Sequence, residues 1–414
     1  MLKSIEIKRF KSLVSQKVEF GRVNLFVGGN GAGKSNLLEA LGLVSAGLSR
    51  GVTDSDLVAK GVRLSAPAMF KSAFKNRGLP STFRIETTFS NRVTFDFDMM
   101  ASGTTSHLRF KAERAAINSR TVFGRSGNGA TVLGQPLAAR PIVTRGMYDQ
   151  LRSLAGFNNL VTGEFDAFSQ YAIYSPQTEF LRGTDVGTAQ QPPVGLHGEG
   201  LPLATATLLN YWRSSSGDLR RRLDSIFSII WSTGWTNQFG VGSPGVELMS
   251  PQVRTGEQTV YFRDHFMHLK RNRVTAYDAS EGVLFLLFLV IMLAHPESPH
   301  AFALDNVDSA LNPRMTQYAV AKLVEFTKAT DTMPGKQVFM TSHNPTAMDA
   351  IDLFDHETRI FTISRSSEGH SVVKRIEPPP NLTRDEWMVK KGGRSMSELW
   401  LSGDIPGALG EAML

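Results

Sequence analysis

The chain has 414 residues, a formal net charge of +7, 41% hydrophobic and 20% charged residues, and no cysteine. These values describe a folded globular protein large enough for one domain with insertions or for several lobes. They exclude disulfide frameworks and thiolate metal sites.

The N-terminal stretch "MLKSIEIKRFKSL" alternates as a strand and then turns at Phe10-Lys11-Ser12. It lacks the apolar core of a secretory signal, so a cytoplasmic protein is expected. "VNLFVGGNGAGKSNLLEAL" (23–41) follows, with a β-rich run before the glycines and helical spacing after them. Gly28, four further residues, then Gly33-Lys34-Ser35 fit the phosphate-loop pattern on a strand-to-helix turn. Glycines let backbone N–H groups converge on phosphate oxygens, and the helix start adds its positive dipole end. Gly28, Asn30, Gly31, Gly33, Lys34, Ser35 and Asn36 are therefore the candidate ATP-binding set. In it Lys34 reaches the β- and γ-phosphates and Ser35 ligates Mg2+.

"STFRIETTFSNRVTFDFDMM" (81–100) reads as a β-hairpin. From about 101 to 255 the pattern is irregular, with Gly-rich patches such as "GRSGNGATVLGQ" (124–135) and helical pieces at 147–157 and 216–231. "YDASEGVLFLLFLVIMLAH" (277–295) opens on a Ser-Glu-Gly turn and continues as an apolar helix. Its apolar run is too short for the roughly 20 residues a membrane span needs, so it reads as buried, with no membrane partner. "HAFALDN" (300–306) is a buried parallel-type strand ending in Asp305, the position of a Walker B acid that holds Mg2+. "KQVFMTSHNP" (336–345) is a second such strand and ends near His343. A closing hairpin is expected over "RIFTISRSSEGHSVVKRIEP", and then a Pro-rich and basic tail. In that tail Leu399, Trp400 and Leu401 either dock a partner or fold back on the core.

The separated motifs "FKSL", "GGNGAGKS", "DASEGVLFLL", "FALDNVDSALNP" and "TSHNP" resemble, in order, the ABC-type ATPase heads of the SMC and RecF group. They are more similar still to the single-chain ATPases of bacterial phage defence, which are like overcoming-lysogenization-defect ATPases without the nuclease. The resemblance implies an α/β fold, a P-loop NTPase head of ABC type with a small antiparallel β subdomain and a mainly helical insertion. The implied division is lobe I over 1–115, the insertion over 116–255, lobe II over 256–377 and a docking tail over 378–414.

It also implies that Ser280 and Gly282 form a signature turn that binds the γ-phosphate of ATP held by another protomer. Here Ala279 and Glu281 depart from the usual Leu-Ser-Gly-Gly-Gln. Read locally, Ser280 is equally an N-cap for the helix after it. His343 resembles the switch histidine, against a plain loop histidine as the alternative. Ser309 to Asn312 resembles the segment lining the dimer seam.

Asn306 stands where hydrolytic members carry a glutamate that activates water. Asparagine has no basic oxygen, and general-base catalysis contributes roughly 10²–10⁴-fold, so slow turnover is expected. Asp308 either replaces that base or caps the helix that follows. The catalytic candidates are thus Asp305, Asn306, Asp308 and His343.

The expected partners are further copies of the chain, as a homodimer or larger homo-oligomer closed around ATP, and a separate nuclease or toxin effector. A nuclease would lie on another chain, because no Toprim-like Glu then Asp-x-Asp arrangement follows His343. Nucleic acid is the alternative partner, through "RRR" (220–222) and "HLKRNR" (268–273), which as plain sequence are also ordinary solvated faces.

Overall fold

The computed structural model describes residues 1–75, 77–101, 107–152, 162–184 and 192–405. They form an α/β structure that divides into two compact units. The first comprises Met1–Ile173, His300–Asp305 and Gln337–Leu414, and the second Tyr174–Pro299 and Asn306–Lys336.

Two sheets build the first unit. The larger is antiparallel, with strands β1 (Leu2–Phe10), β2 (Leu13–Glu19), β4 (Thr82–Phe89), β5 (Val93–Met100), β6 (Arg109–Ile117), β7 (Arg120–Ser126), β8 (Gly129–Val132) and β9 (Gln135–Pro136). Its order is β2-β1-β4-β5-β6-β7-β8-β9. The expected hairpin at 81–100 is β4–β5. The sheet also runs on through the Gly-rich patch that reads as irregular in sequence. Ser126 pairs with Gly129 across a two-residue turn, and Gly129 takes φ +126°. A Gly-Asn pair between two alternating runs is a hairpin signal, and here it outweighs the glycine content. Strand β6 therefore crosses position 115.

The second sheet has the order β10-β14-β15-β3-β16-β17. Its strands are β3 (Val23–Val27), β10 (Ile173–Tyr174), β14 (Ala301–Leu304), β15 (Gln337–Ser342), β16 (Thr358–Arg365) and β17 (Ser371–Ile376). β14, β15, β3 and β16 run parallel, and β17 returns as the antiparallel closing hairpin. Phe20, Phe26, Phe339 and Phe361 interlock on one side of this sheet, with Phe26 and Phe361 stacked at 5.1 Å and Phe20 edge-on to Phe339 at 5.1 Å. These rings bury large apolar areas in fixed geometry, so the strand ends that carry the site have a rigid floor.

Helices α1 (Lys34–Leu48), α2 (Asp54–Ala59), α3 (Met147–Arg152), α4 (Thr162–Ser169), α10 (Arg384–Lys390) and α11 (Met396–Leu401) complete the unit. Of the helix expected at 147–157, positions 153–157 lie outside the described residues. In the tail, Leu399 and Trp400 are buried while Leu401 stays exposed. Ser397 binds the Asp349 carboxylate through its N–H at 2.8 Å and its hydroxyl at 2.6 Å. The tail helix therefore folds back on its own unit.

The second unit is mainly helical, with α5 (Thr178–Arg182), α6 (Leu201–Ser214), α7 (Gly217–Trp231), α8 (Glu281–Ala294) and α9 (Pro313–Phe326). A small antiparallel sheet accompanies them: β11 (Thr236–Gly242), β12 (Thr259–Asp264) and β13 (Arg273–Thr275). Every residue of α8 from Val283 to Ala294 is buried. A helix apolar on all sides must be enclosed, and α6, α7 and α9 supply the enclosure. Among the described residues no helix is long and apolar enough to cross a membrane.

Candidate nucleotide site

β3 ends at Val27, the loop Gly28–Gly33 follows, and α1 begins at Lys34. Gly31 and Gly33 take φ +71° and +108°, left-handed conformations that favour glycine. At Gly28 an added Cβ would sit 2.2 Å from the Ile363 carbonyl oxygen, so only hydrogen fits there. Gly29, Asn30 and Gly31 are exposed, and among the described residues no side chain caps the start of α1. A glycine loop that feeds a helix start without a side-chain cap is the geometry that collects an anion.

Lys34 is buried, and its Nζ donates to the carbonyl oxygens of Gly28 at 2.7 Å and Gly29 at 3.1 Å. The same Nζ lies 3.2 Å from His343 Nδ1. An ammonium has only donors, so this contact is a hydrogen bond in the tautomer whose Nδ1 is free to accept. The structure thus joins two residues more than 300 positions apart in sequence.

Asp305 completes this half of the site. β14 pairs with β15 through Leu304 and Met340, and β15 with β3 through Ser342 and Val27. Three parallel strands therefore end at one level, which is where open α/β sheets place ligands. Asp305 Oδ2 accepts from the Ser35 hydroxyl at 3.2 Å, and Oδ1 accepts from the Thr341 hydroxyl at 2.5 Å. A hydroxyl and a carboxylate converging at a phosphate loop form a hard oxygen donor set, which is the chemistry Mg2+ selects, so these residues fit that ion. Nearby, burial first and the Asp305 charge second push the Tyr171 phenol well above its usual range, so it stays a neutral donor, here to the Leu38 carbonyl at 3.3 Å.

The "FKSL" turn has a clear task. Lys11 and Arg63 both pair with Glu39, a carboxylate of α1 that is buried. Burial lowers the Lys11 pKa, and the pair keeps α1 from carrying an isolated buried charge. Ser12 accepts from Asn36 Nδ2 at 2.7 Å, which fixes Asn36 in the first turn of α1.

Ser280, Gly282, Asn306 and Asp308 belong to the second unit. Ser280 is the N-cap of α8 and accepts from the Val283 N–H at 3.5 Å, a long bond. Ser280 and Glu281 are exposed. A Cβ at Gly282 would stand 3.4 Å from the Ala310 carbonyl oxygen, so the turn packs on the Ser309–Asn312 segment. Asn306 takes φ +60°, a conformation asparagine adopts more readily than glutamate. Asp308 does not cap the following helix. Asn312 does, accepting from Met315 N–H at 3.0 Å, with Pro313 opening the helix behind it.

Thr341 escaped the sequence reading. The signal was a threonine directly after the apolar run Val338–Met340, and its meaning depends on which acid lies beside the neighbouring strand.

Residues 4–129 match the family model described as "AAA domain", and residues 213–349 match the model described as "AAA domain, putative AbiEii toxin, Type IV TA system". No curated protein matches the chain. Among solved structures, the SMC head domain from Thermotoga maritima is 15% identical, with 91% of this chain and 99% of that one covered and a TM-score of 0.46. The recombination mediator protein RecF of the RecFOR pathway is 14% identical, with 91% and 98% covered and a TM-score of 0.37.

Proposed function

We propose that this chain is an ATP-binding ABC-type ATPase that closes with further copies of itself over ATP and Mg2+, hydrolyses slowly, and controls a separate effector. The observation that carries the reading is the convergence of Lys34, Ser35, Asp305, Thr341 and His343 at the ends of three parallel strands. The phosphate loop offers N–H groups and the Lys34 ammonium to the triphosphate. Ser35 and Asp305 hold Mg2+, which supplies neutralisation of phosphate charge when bound. Asn306 can orient water and cannot take its proton, and Asp308 is the next acid after it in the chain.

The exposed start of α8 at Ser280 suits a second nucleotide contact, made to the ATP of another copy. A role in anti-phage defence, with a nuclease or toxin as the effector, draws support from the toxin–antitoxin description of the second family match. The test has two arms. ATP binding and phosphate release are measured on the purified chain and on Lys34→Ala. Co-purification from the native operon then looks for the effector: tight ATP binding with slow release and an associated protein is expected. Recovery of the chain alone would remove the effector, and Lys34-independent binding would remove the site.

A second reading is direct action on DNA. The β12–β13 connection carries exposed Lys270 and Arg271 beside exposed Phe266 and Leu269, and exposed Arg273 opens β13, a mixture of cations and apolar side chains that suits nucleic acid. ATP-dependent, salt-sensitive binding of bare DNA by the isolated chain would favour it.

A further inference from the structure

The phosphate loop is held from outside by the hairpin β16–β17, whose residues belong to none of the nucleotide motifs. Arg365, the last residue of β16, donates from Nε to the Gly31 carbonyl oxygen at 2.9 Å. Its Nη1 donates at 2.5 Å to the Gly369 carbonyl oxygen of its own hairpin, which fixes the guanidinium. Ser371, the first residue of β17 and fully buried, donates to the Ala32 carbonyl oxygen and lies 2.7 Å from the Ser12 hydroxyl. Its backbone N–H binds the Ser12 carbonyl oxygen at 2.8 Å.

The carbonyls of the loop are thereby almost all engaged. Gly28 and Gly29 carry Lys34 Nζ, Gly33 carries the Asn36 and Leu37 N–H groups, and Gly31 and Ala32 carry the hairpin. In a chain that alternates N–H and C=O groups, fixing the carbonyls on protein donors also fixes the directions open to the N–H groups, and the Ala32 N–H closes the loop further by donating to the Gly29 carbonyl oxygen at 3.3 Å. The packing is close as well. A Cβ at Gly33 would stand 2.1 Å from Ser371 Oγ and 2.7 Å from Ser12 Oγ.

We infer that Arg365 and Ser371 are positioning residues for nucleotide: they pre-organise the phosphate loop and thereby set its affinity for ATP, without themselves being ligands in the motif. The inference rests on the ATP-binding reading above. Pre-organised donors bind without the cost of ordering the loop at the moment of binding, so the effect belongs in the dissociation constant and not in the rate of the bound complex.

The test titrates Mg2+ and a fluorescent ATP analogue into the full chain and into Arg365→Ala, Arg365→Lys, Ser371→Ala and Lys34→Ala, with the nucleotide-free thermal midpoint and single-turnover phosphate release measured on each. Arg365→Ala is expected to weaken binding about tenfold, the size of a lost charge-assisted hydrogen bond. Its unliganded midpoint and its single-turnover rate should stay near those of the parent. Arg365→Lys should recover part of the affinity, because an ammonium can still donate to Gly31. Ser371→Ala should weaken binding comparably, and if it fails to fold, the arginine pair carries the test. Unchanged affinity in Arg365→Ala, with binding lost in Lys34→Ala, would overturn this inference and leave the ATP reading intact. A parent chain that binds no nucleotide would overturn both.

Discussion

The two units carry their shares of the proposed site in opposite conditions. In the first, Lys34 and Asp305 are fully engaged with neighbours, and the loop between them is braced by Ser12, Arg365 and Ser371. In the second, Ser280 closes its helix through a 3.5 Å bond and stands exposed beside Glu281. A site finished within one chain and a helix start left open to solvent ask for different ligands. The first needs only ATP and Mg2+. In the proposed function the second takes an anion brought by another molecule, which is why assembly is the part of the account most open to experiment.

The sharpest break in the comparison is Lys34→Ala. It removes the cation of the finished half, and ATP affinity should fall about 100-fold or more, read by direct titration. A fall of less than about fivefold would mean the loop does not hold the triphosphate. Titration with pH compares the units next, because each holds a lysine whose pKa burial lowers far below its usual value. Burial lowers Lys60 to about 8 in the first unit and Lys336 to about 8 in the second. Between pH 8 and 10.5 an unfolded lysine keeps a proton that the folded one has lost. The unfolded state then binds more protons, so stability rises with pH across that window. Relative to Lys336→Met, the parent should gain on the order of 2–3 kcal/mol between pH 7 and 10, measured by denaturant unfolding. A flat difference would show that Lys336 keeps its ordinary pKa.

Asn306→Glu probes the seam where the second unit's chain leaves Asp305. A base at this position should raise phosphate release at least about tenfold, while the left-handed backbone costs about 1 kcal/mol of stability. Fast release by the parent that Asn306→Ala abolishes would instead make asparagine itself essential. The smallest effect belongs to Ser280→Ala, where so long a cap bond should cost only about 0.5 kcal/mol of unfolding stability and leave ATP affinity of the separate chain unchanged. A loss above 2 kcal/mol would give Ser280 a structural task and weaken its assignment to nucleotide.

What the sequence made legible was local. The phosphate loop, the apolar α8 and the strands ending at Asp305 and His343 each follow from period and turn chemistry within one short window. What stayed hidden was set by pairing between distant windows. Thr341 has meaning only once β15 lies beside β14, and Arg365 and Ser371 only once the closing hairpin meets the glycine loop. Local competition misled as well. Asp308 reads in the sequence as a cap for the helix that follows, whereas Asn312 takes that place, with Pro313 fixing the first helical position directly behind it.

The central claim, that ATP is shared between a Lys34 of one copy and a Ser280 of another, is tested most directly by mixing two disabled chains. Lys34→Ala and Ser280→Arg are examined separately and together, with Mg2+ and ATP, by solution mass measurement. Neither alone should assemble. Their mixture should form a dimer, because pairing them rebuilds one intact site from the lysine of one chain and the serine of the other. A mixture that stays monomeric while the parent dimerises, or a Ser280→Arg chain that assembles as the parent does, would contradict the account.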